Sequence, residues 1–174
     1  MITIARPEPG TYHSAFQRYV DHAAVDDDVV AGLERQIDDV RKAFERFVPA
    51  KETYRYADGK WSVREVLGHV LDTERVFGFR TLAIGRGETE SLPGMDENVY
   101  AAGAPHHAVP LASLLEQFAL VRRSHVLMLR EFDDAAWARE GKANQNRIAV
   151  RALPWIMLGH VRHHLAVLQD KYAG

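Results

Sequence analysis

Four long segments of this chain repeat apolar residues every three or four positions, and nowhere does alternation at every second position persist. That period belongs to amphipathic helices and not to half-buried strands, so the chain is expected to be all-α. The first segment, Asp26–Phe47, carries Val30, Leu33, Ile37, Val40 and Phe44. Its acidic start suits the positive end of a helix dipole, and Pro49 closes it. The second, Ser62–Gly87, carries Val63, Val66, Val70, Phe77 and Ile84 and ends at Gly85 and Gly87. It opens on a capping box, in which the Ser62 hydroxyl accepts an early backbone N–H and the Glu65 carboxylate reaches back. The third, Leu111–Phe132, places Leu111, Leu114, Leu115, Phe118, Val121, Leu129 and Phe132 on one side. The fourth, Arg147–Tyr172, contains Pro154, which predicts a kink or a helix start near Leu153. With no strand signature and no internal repeat, four such helices predict a four-helix bundle.

The connections refine this. Glu88–Pro110 is polar, rich in Gly and Pro, and too long for a tight turn between antiparallel neighbours, so it is functional or crosses the end of the bundle. Asp133–Asn146 reads as a loop. The opening "MITIARPEPG" reads as a tail, and Thr11–Ala23 as a short helix or an extended arm. The expected organisation is therefore a tail or arm over 1–25 and one helical domain over 26–174. A length of 174 residues suffices for one domain with its own core.

Charge and composition narrow the function. A net charge of −2 gives no basic footprint for nucleic acid. No window is apolar enough for a membrane span, and the N-terminus lacks the pattern of a signal peptide, so a cytoplasmic protein is expected. The chain has no Cys, which excludes disulfides, a protein thiolate nucleophile and Cys-ligated zinc. Any metal must be held by His, Asp, Glu or backbone oxygen. Nine histidines are many for this length.

Three of them crowd into "GHVRHH", Gly159–His164. On a wheel advancing about 100° per residue with His160 at zero, Leu153, Ile156, Met157, Val167 and Leu168 fall between about −40° and +80°. His164 falls near +40°, inside that stripe, and His163 near −60°, at its margin. His160 and His164 thus point inward on adjacent turns, the spacing by which one helix offers two nitrogens to one ion. His163 does not point with them. A third ligand is open between His69, beside the stripe of the second helix, and His125, near the centre of the third. His13, His22, His106 and His107 lie in the arm or the long connection and are expected to be solvated.

"WSVREVLGHVLDTERVFGFR", followed some way on by "VRALPWIMLGHVRHHLAVLQDKY", resembles the DinB-like (DNA-damage-inducible) superfamily, which includes bacillithiol transferases and mycothiol-dependent enzymes. The resemblance spans nearly the whole chain, from the first long helix to the C-terminus. It implies a four-helix bundle with a long crossover. It also implies a divalent metal, commonly zinc or nickel, bound by three histidines, which fall here on His69, His160 and His164. A homodimer is implied by the resemblance alone. The family name records induction by DNA damage and not DNA binding.

Three neutral imidazoles leave a divalent ion its charge and open positions, as in catalytic sites and unlike four-ligand structural zinc. The expected function is a metal-dependent thiol transferase or hydrolase acting on a small molecule, its thiol, if any, coming from a low-molecular-weight cosubstrate. The rival is a non-catalytic bundle that binds metal or a small ligand. Among lesser candidates, Asp72 could orient a ligand or pair with Arg75 or Arg80. Asp96, Glu97, Asn98 and Tyr100 could rim a pocket. Arg122 could meet an anionic cosubstrate and His125 could form a pocket wall. Trp61 and Trp155 are assigned to packing.

Overall fold

Asp28 starts the first long helix, its carboxylate accepting the backbone N–H groups of Val30 and Ala31, each at 3.0 Å. The computed structural model describes residues 4–25 and 28–172. Asp26 and Asp27, expected in that acidic helix start, lie outside the described residues, as do residues 1–3 of the expected tail and residues 173–174. The helices are α1 (Gln17–Ala23), α2 (Val29–Glu45), α3 (Val63–Gly85), α4 (Glu97–Gly103), α5 (Leu111–Arg130), α6 (Asp134–Ala138) and α7 (Ala152–Tyr172). The strands are β1 (Ser91–Leu92), β2 (Glu140–Ala143) and β3 (Asn146–Ala149).

The bundle consists of α2, α3, α5 and α7. Both α2 and α3 pack against α5 and α7. The apolar stripes face inward, with Leu33, Val40, Phe44, Val63, Ile84, Leu111, Leu114 and Phe118 all buried. Contacts at the helix ends give the directions. Tyr172, at the end of α7, donates to the Trp61 carbonyl just before α3, so α3 and α7 are antiparallel. Glu34, early in α2, pairs with Arg130 at the end of α5, so these two are also antiparallel. Glu52 accepts from the first N–H of α5 and from Arg64 at the start of α3, while Phe132 beyond α5 lies on Gly85 at the end of α3. Hence α3 and α5 run parallel, and so do α2 and α7. A parallel α3–α5 pair requires its connection to return the length of α3, roughly 35 Å at 1.5 Å per residue. The long connection is thus a crossover. It carries β1, α4 and a 3-10 turn at His106–Ala108.

One expectation changes, and two open alternatives resolve. Strands are present: β2 and β3 form an antiparallel hairpin with Ala143 opposite Asn146, and β1 adds in parallel on the β2 edge. The strands are too short for a period of two to register. Asn144 and Gln145 both have positive φ, 50° and 61°, the two-residue hairpin geometry usually written Asn-Gly. Of the kink or helix start that Pro154 predicts near Leu153, the structure has the start: the last helix begins at Ala152, with Pro154 in its first turn, where a missing N–H leaves no helical bond unmade. Of the short helix or extended arm expected over Thr11–Ala23, the helix forms, as α1, and residues 4–25 lie against the bundle. Ile4, Tyr12, Tyr19, Val20 and Ala23 are buried, and α1 packs along α7. A side chain at Gly159 would run into the Tyr19 backbone, so Gly159 permits that approach. A seven-residue helix has too few turns to stand without such a partner, which is why its pattern is weak in the sequence. Among the described residues, no helix is long and apolar enough to cross a membrane.

Candidate metal centre

The capping box at Ser62 and Glu65 fixes where α3 begins: Glu65 N–H donates to the Ser62 hydroxyl at 3.3 Å, and Ser62 N–H to the Glu65 carboxylate at 2.7 Å. Two turns on, His69 faces α7. There it meets His160, with Nε2 atoms 3.1 Å apart, and His160 Nε2 lies 3.1 Å from His164 Nε2. The ligand atoms of His69, His160 and His164 all fall within 4.8 Å of one another. His69 and His160 are buried and His164 is half-buried.

Burial first, and the neighbouring imidazoles second, hold the protons off. His160 is pushed well below its ordinary value by burial and then by His164 and His69. His164 is pushed down to about 3 by burial, then His69. Burial pushes His69 down to about 4 against the opposing pull of Asp72. The result is a cluster of neutral rings with converging nitrogens. A divalent ion held tetrahedrally by imidazoles at about 2.0–2.1 Å separates neighbouring ligand nitrogens by about 3.3 Å. The two close separations at His160 match that, so the donor set fits zinc or a similar ion. His69 departs from the usual pattern in one respect. Its Nδ1 is buried without a hydrogen-bond partner, where ligating histidines commonly donate from that atom. Its orientation is set instead by the Trp61 ring, 4.8 Å away and tilted by 35°. Trp61, assigned to packing, thus packs on a candidate ligand as well as on the core, and Trp155 is buried in the core as expected.

A cavity of about 340 Å³ opens onto His69 and His160. Its walls come from Thr73, Phe77 and Arg80 of α3, from Phe16 and Tyr19 of the N-terminal segment, and from the β2–β3 hairpin. The Tyr19 ring stands edge-on to His160 at 5.2 Å. The sequence reading missed Thr73, Tyr19 and the hairpin, since none carries a local signal for a site.

The other histidines separate clearly. His163 stands outside the cluster, with its ring 5.7 Å from Tyr19 and 5.8 Å from that of His22. His125 neither joins the cluster nor lines the cavity: it bonds Glu74 at 2.8 Å. Arg122 does not await an anion either. It is fully buried and forks onto both Glu74 oxygens at 2.8 Å. His106, expected to be solvated, is buried against Gly68 and bonds Asp72 at 2.8 Å, while Asp72 also takes the expected bond from Arg75 at 3.0 Å. His13, His22 and His107 are exposed, and His13 borders the cavity. Of Asp96, Glu97, Asn98 and Tyr100, only Glu97 lines it; Asp96 caps α4.

Comparison with known proteins agrees with this frame. The model of the DinB superfamily matches residues 32–168. Among solved structures, YfiT from Bacillus subtilis, described as a probable metal-dependent hydrolase with an unusual four-helix bundle topology, superposes with a TM-score of 0.67 at 18% identity. That match covers 95% of this chain and 90% of the other. A mycothiol-dependent maleylpyruvate isomerase superposes with a TM-score of 0.59 at 13% identity, covering all of this chain and 64% of the other. At these identities the likeness is one of fold. No curated protein matches the chain in sequence.

Proposed function

The chain belongs to the DinB superfamily, and from that premise we propose that it is a divalent-metal-dependent enzyme acting on a small molecule, with His69, His160 and His164 as the ligands of one zinc or nickel ion. The observation that carries the reading is the convergence of three neutral imidazole nitrogens, with His69 and His160 at the wall of a cavity large enough for a small substrate. When bound, such an ion supplies Lewis acidity and lowers the pKa of a water or thiol at its open position.

The chain's own residues then do the remaining work. The three imidazoles, held neutral by burial, leave the charge of the site uncancelled. Trp61 fixes the His69 ring, and Tyr19 and Phe77 wall His160 off from bulk solvent. Asp72 is bonded to His106 and Arg75, and Glu74 to Arg122 and His125, so neither is placed to take a proton from a substrate. Glu97, exposed on the cavity rim, is the carboxylate among the cavity's described lining residues and the candidate for that task. A site with this balance suits a nucleophile that loses its proton on binding. That nucleophile is water in a hydrolase, or the sulfur of a low-molecular-weight thiol in a transferase, since the chain has no Cys.

A homodimer belongs to the same proposal. Phe79 and Leu82 on α3 and Leu120 and Leu127 on α5 are large apolar side chains exposed on the surface of the bundle. A monomeric mass in solution would remove the dimer and leave the rest. The central test is cobalt substitution. A cobalt spectrum that changes in the near ultraviolet on adding an external thiol supports transfer. An unchanged spectrum, with turnover of ester or amide probes, supports hydrolysis. Failure to retain any stoichiometric divalent ion rejects the enzyme reading and favours a bundle without metal chemistry.

A further inference from the structure

Five buried side-chain polar atoms among the described residues have no hydrogen-bond partner: His69 Nδ1, Thr73 Oγ1, Arg80 Nε and the indole nitrogens of Trp137 and Trp155. The first three belong to one helix, α3, and all three residues line the cavity at the histidine cluster. His69, Thr73, Phe77 and Arg80 recur at helical spacing along a single face of α3.

Arg80 is the unusual member. It is only 6% exposed, yet no carboxylate among the described residues pairs with it. Its Nη2 donates to the Pro93 carbonyl at 3.0 Å, and its Cζ stands 5.6 Å from the centre of the Phe77 ring. A guanidinium has five N–H donors in a planar fork, so one carbonyl leaves it largely unsatisfied. Arg122, the other deeply buried arginine, shows what a structural guanidinium needs: both Glu74 oxygens, the Gln36 side chain and the Leu33 carbonyl. Burial pushes the Arg80 pKa down, and the opposing pull comes from the Tyr100 hydroxyl, not from an acid. The charged residues that also border the cavity do not answer it: Glu97 is exposed at the rim, and exposed Arg147 is paired with Glu140 at 2.6 Å.

We propose that the cavity takes a small molecule bearing a carboxylate, which Arg80 binds, while the reacting end of the site is the histidine cluster, with Thr73 one turn from His69. Planar two-point recognition of a carboxylate is what a guanidinium fork does best. Phe77 sets the spacing, since its ring contacts Arg80 at one side and stands 6.3 Å from the His160 ring. The ligand is therefore an acid with an apolar stretch between its carboxylate and its reacting group. The proposal rests on the reading of this cavity as the active site. The carboxylate can belong to the molecule transformed or to a thiol cosubstrate.

The first arm of the test needs no metal. The full chain, stripped with a chelator, is titrated with hexanoate and with hexanamide, which match in length and differ in charge. Hexanoate should bind roughly tenfold tighter, and the Arg80 Nε–H signal in a nitrogen-15 spectrum should move as it saturates. Arg80→Gln should abolish the preference and Arg80→Lys should keep part of it. Equal affinities in the parent overturn the proposal. So does a preference that survives Arg80→Gln, because Arg80 then merely supports Pro93. If Arg80→Gln does not fold, the parent's Arg80 signal decides: unmoved at hexanoate saturation, it overturns the proposal. Because this arm omits the ion, its failure leaves the cobalt test standing, and a failed cobalt test leaves it standing. The second arm uses cobalt-loaded protein. If 6-mercaptohexanoate binds tighter than 6-mercaptohexanol in an Arg80-dependent way, the carboxylate comes with the thiol. If hexanoate and 6-mercaptohexanol bind together without competing, it comes with the other substrate.

Discussion

Replacing Arg122 by Met should destabilise the protein by about 3 kcal/mol at neutral pH, and the loss should shrink as the pH is lowered. Arg122 and Glu74 are both fully buried at the α3–α5 seam. Burial alone would raise the Glu74 pKa, but the Arg122 charge, followed by the hydrogen bonds from His125 and Arg122, overcomes it and brings the carboxyl from its ordinary 4.5 to about 2. At about 1.4 kcal/mol per pKa unit, that difference is worth about 3 kcal/mol. The figure agrees with the roughly 3–5 kcal/mol lost when one partner of a buried pair is removed. A depressed carboxyl pKa contributes its full stability above about pH 4.5 and loses it as the pH falls toward 2. In Arg122→Met nothing comparable opposes burial, so Glu74 is driven to its protonated form and its penalty fades in acid. The gap between parent and variant should therefore be widest near pH 7 and narrow below pH 4. For a chain of this length the neutral-pH loss corresponds to a fall in Tm of roughly 6–12 °C. The double variant Arg122→Met/Glu74→Gln should recover most of it, since the amide needs no counter-charge. Urea titrations at several pH values provide the measurement. A loss under about 1 kcal/mol, a gap independent of pH, or a double variant worse than the single one would refute the reasoning.

Other outcomes can be stated briefly. His69→Ala should lose most bound metal by elemental analysis while keeping its helical circular dichroism, because the apolar stripes and not the ion hold the bundle; full occupancy would reject His69 as a ligand. His163→Ala should keep its metal stoichiometry, and loss there with retention in His164→Ala would reverse the assignment of the pair. Gly159→Ala should cost about 2 kcal/mol, because the new methyl group meets the Tyr19 backbone and not a movable side chain; a Tm equal to the parent's would contradict the close approach of α1 to α7. Gln145→Gly should stabilise by about 1 kcal/mol by relieving a left-handed residue at φ 61°, and a lower Tm would show that the hairpin turn is formed differently. Thr73→Val should leave metal-free stability equal or higher, since it removes a buried hydroxyl that has no partner, and a loss above 1 kcal/mol would reveal a partner for it.

The four long helices were legible because each presents a stripe wide enough to set its own period, and Val30, Leu33, Val40, Phe44, Val63 and Ile84 are buried where that period places them. The pairing of His160 with His164 was legible for the same reason, since both lie on one turn-to-turn face. The choice of His69 over His125 was not. A wheel gives the direction of a side chain around its own helix and says nothing of which helix stands opposite; the resemblance named His69, and the structure brings it together with the pair. Short elements escaped because tertiary contact creates them: α1 lies on Gly159, and the hairpin turns on Asn144 and Gln145, with Asn144 N–H bonded to the Leu92 carbonyl. His106 was misplaced because a polar residue reads as exposed when its partner, Asp72, lies far along the chain, and Arg122 was left open to an anionic cosubstrate because Glu74, which answers it, is equally distant.

The helix α3 shows why a single stripe was a poor guide there. It packs against α5 and α7 and also against α4, α6, β2 and the His106 turn, so most of its circumference is buried. A helix enclosed on so many sides must bury polar residues, and each then needs a partner. Toward α5, Glu74 has Arg122 and His125; within the helix, Thr81 donates to the Phe77 carbonyl at 2.8 Å. Toward the cavity, Thr73 and Arg80 are left short of partners, one and three turns beyond His69. Leaving buried donors unanswered costs roughly 1–3 kcal/mol each, and the same helix satisfies Glu74 and Thr81 away from the cavity. The deficit is confined to the face that lines the cavity, and that is the face on which a ligand could supply what the protein does not.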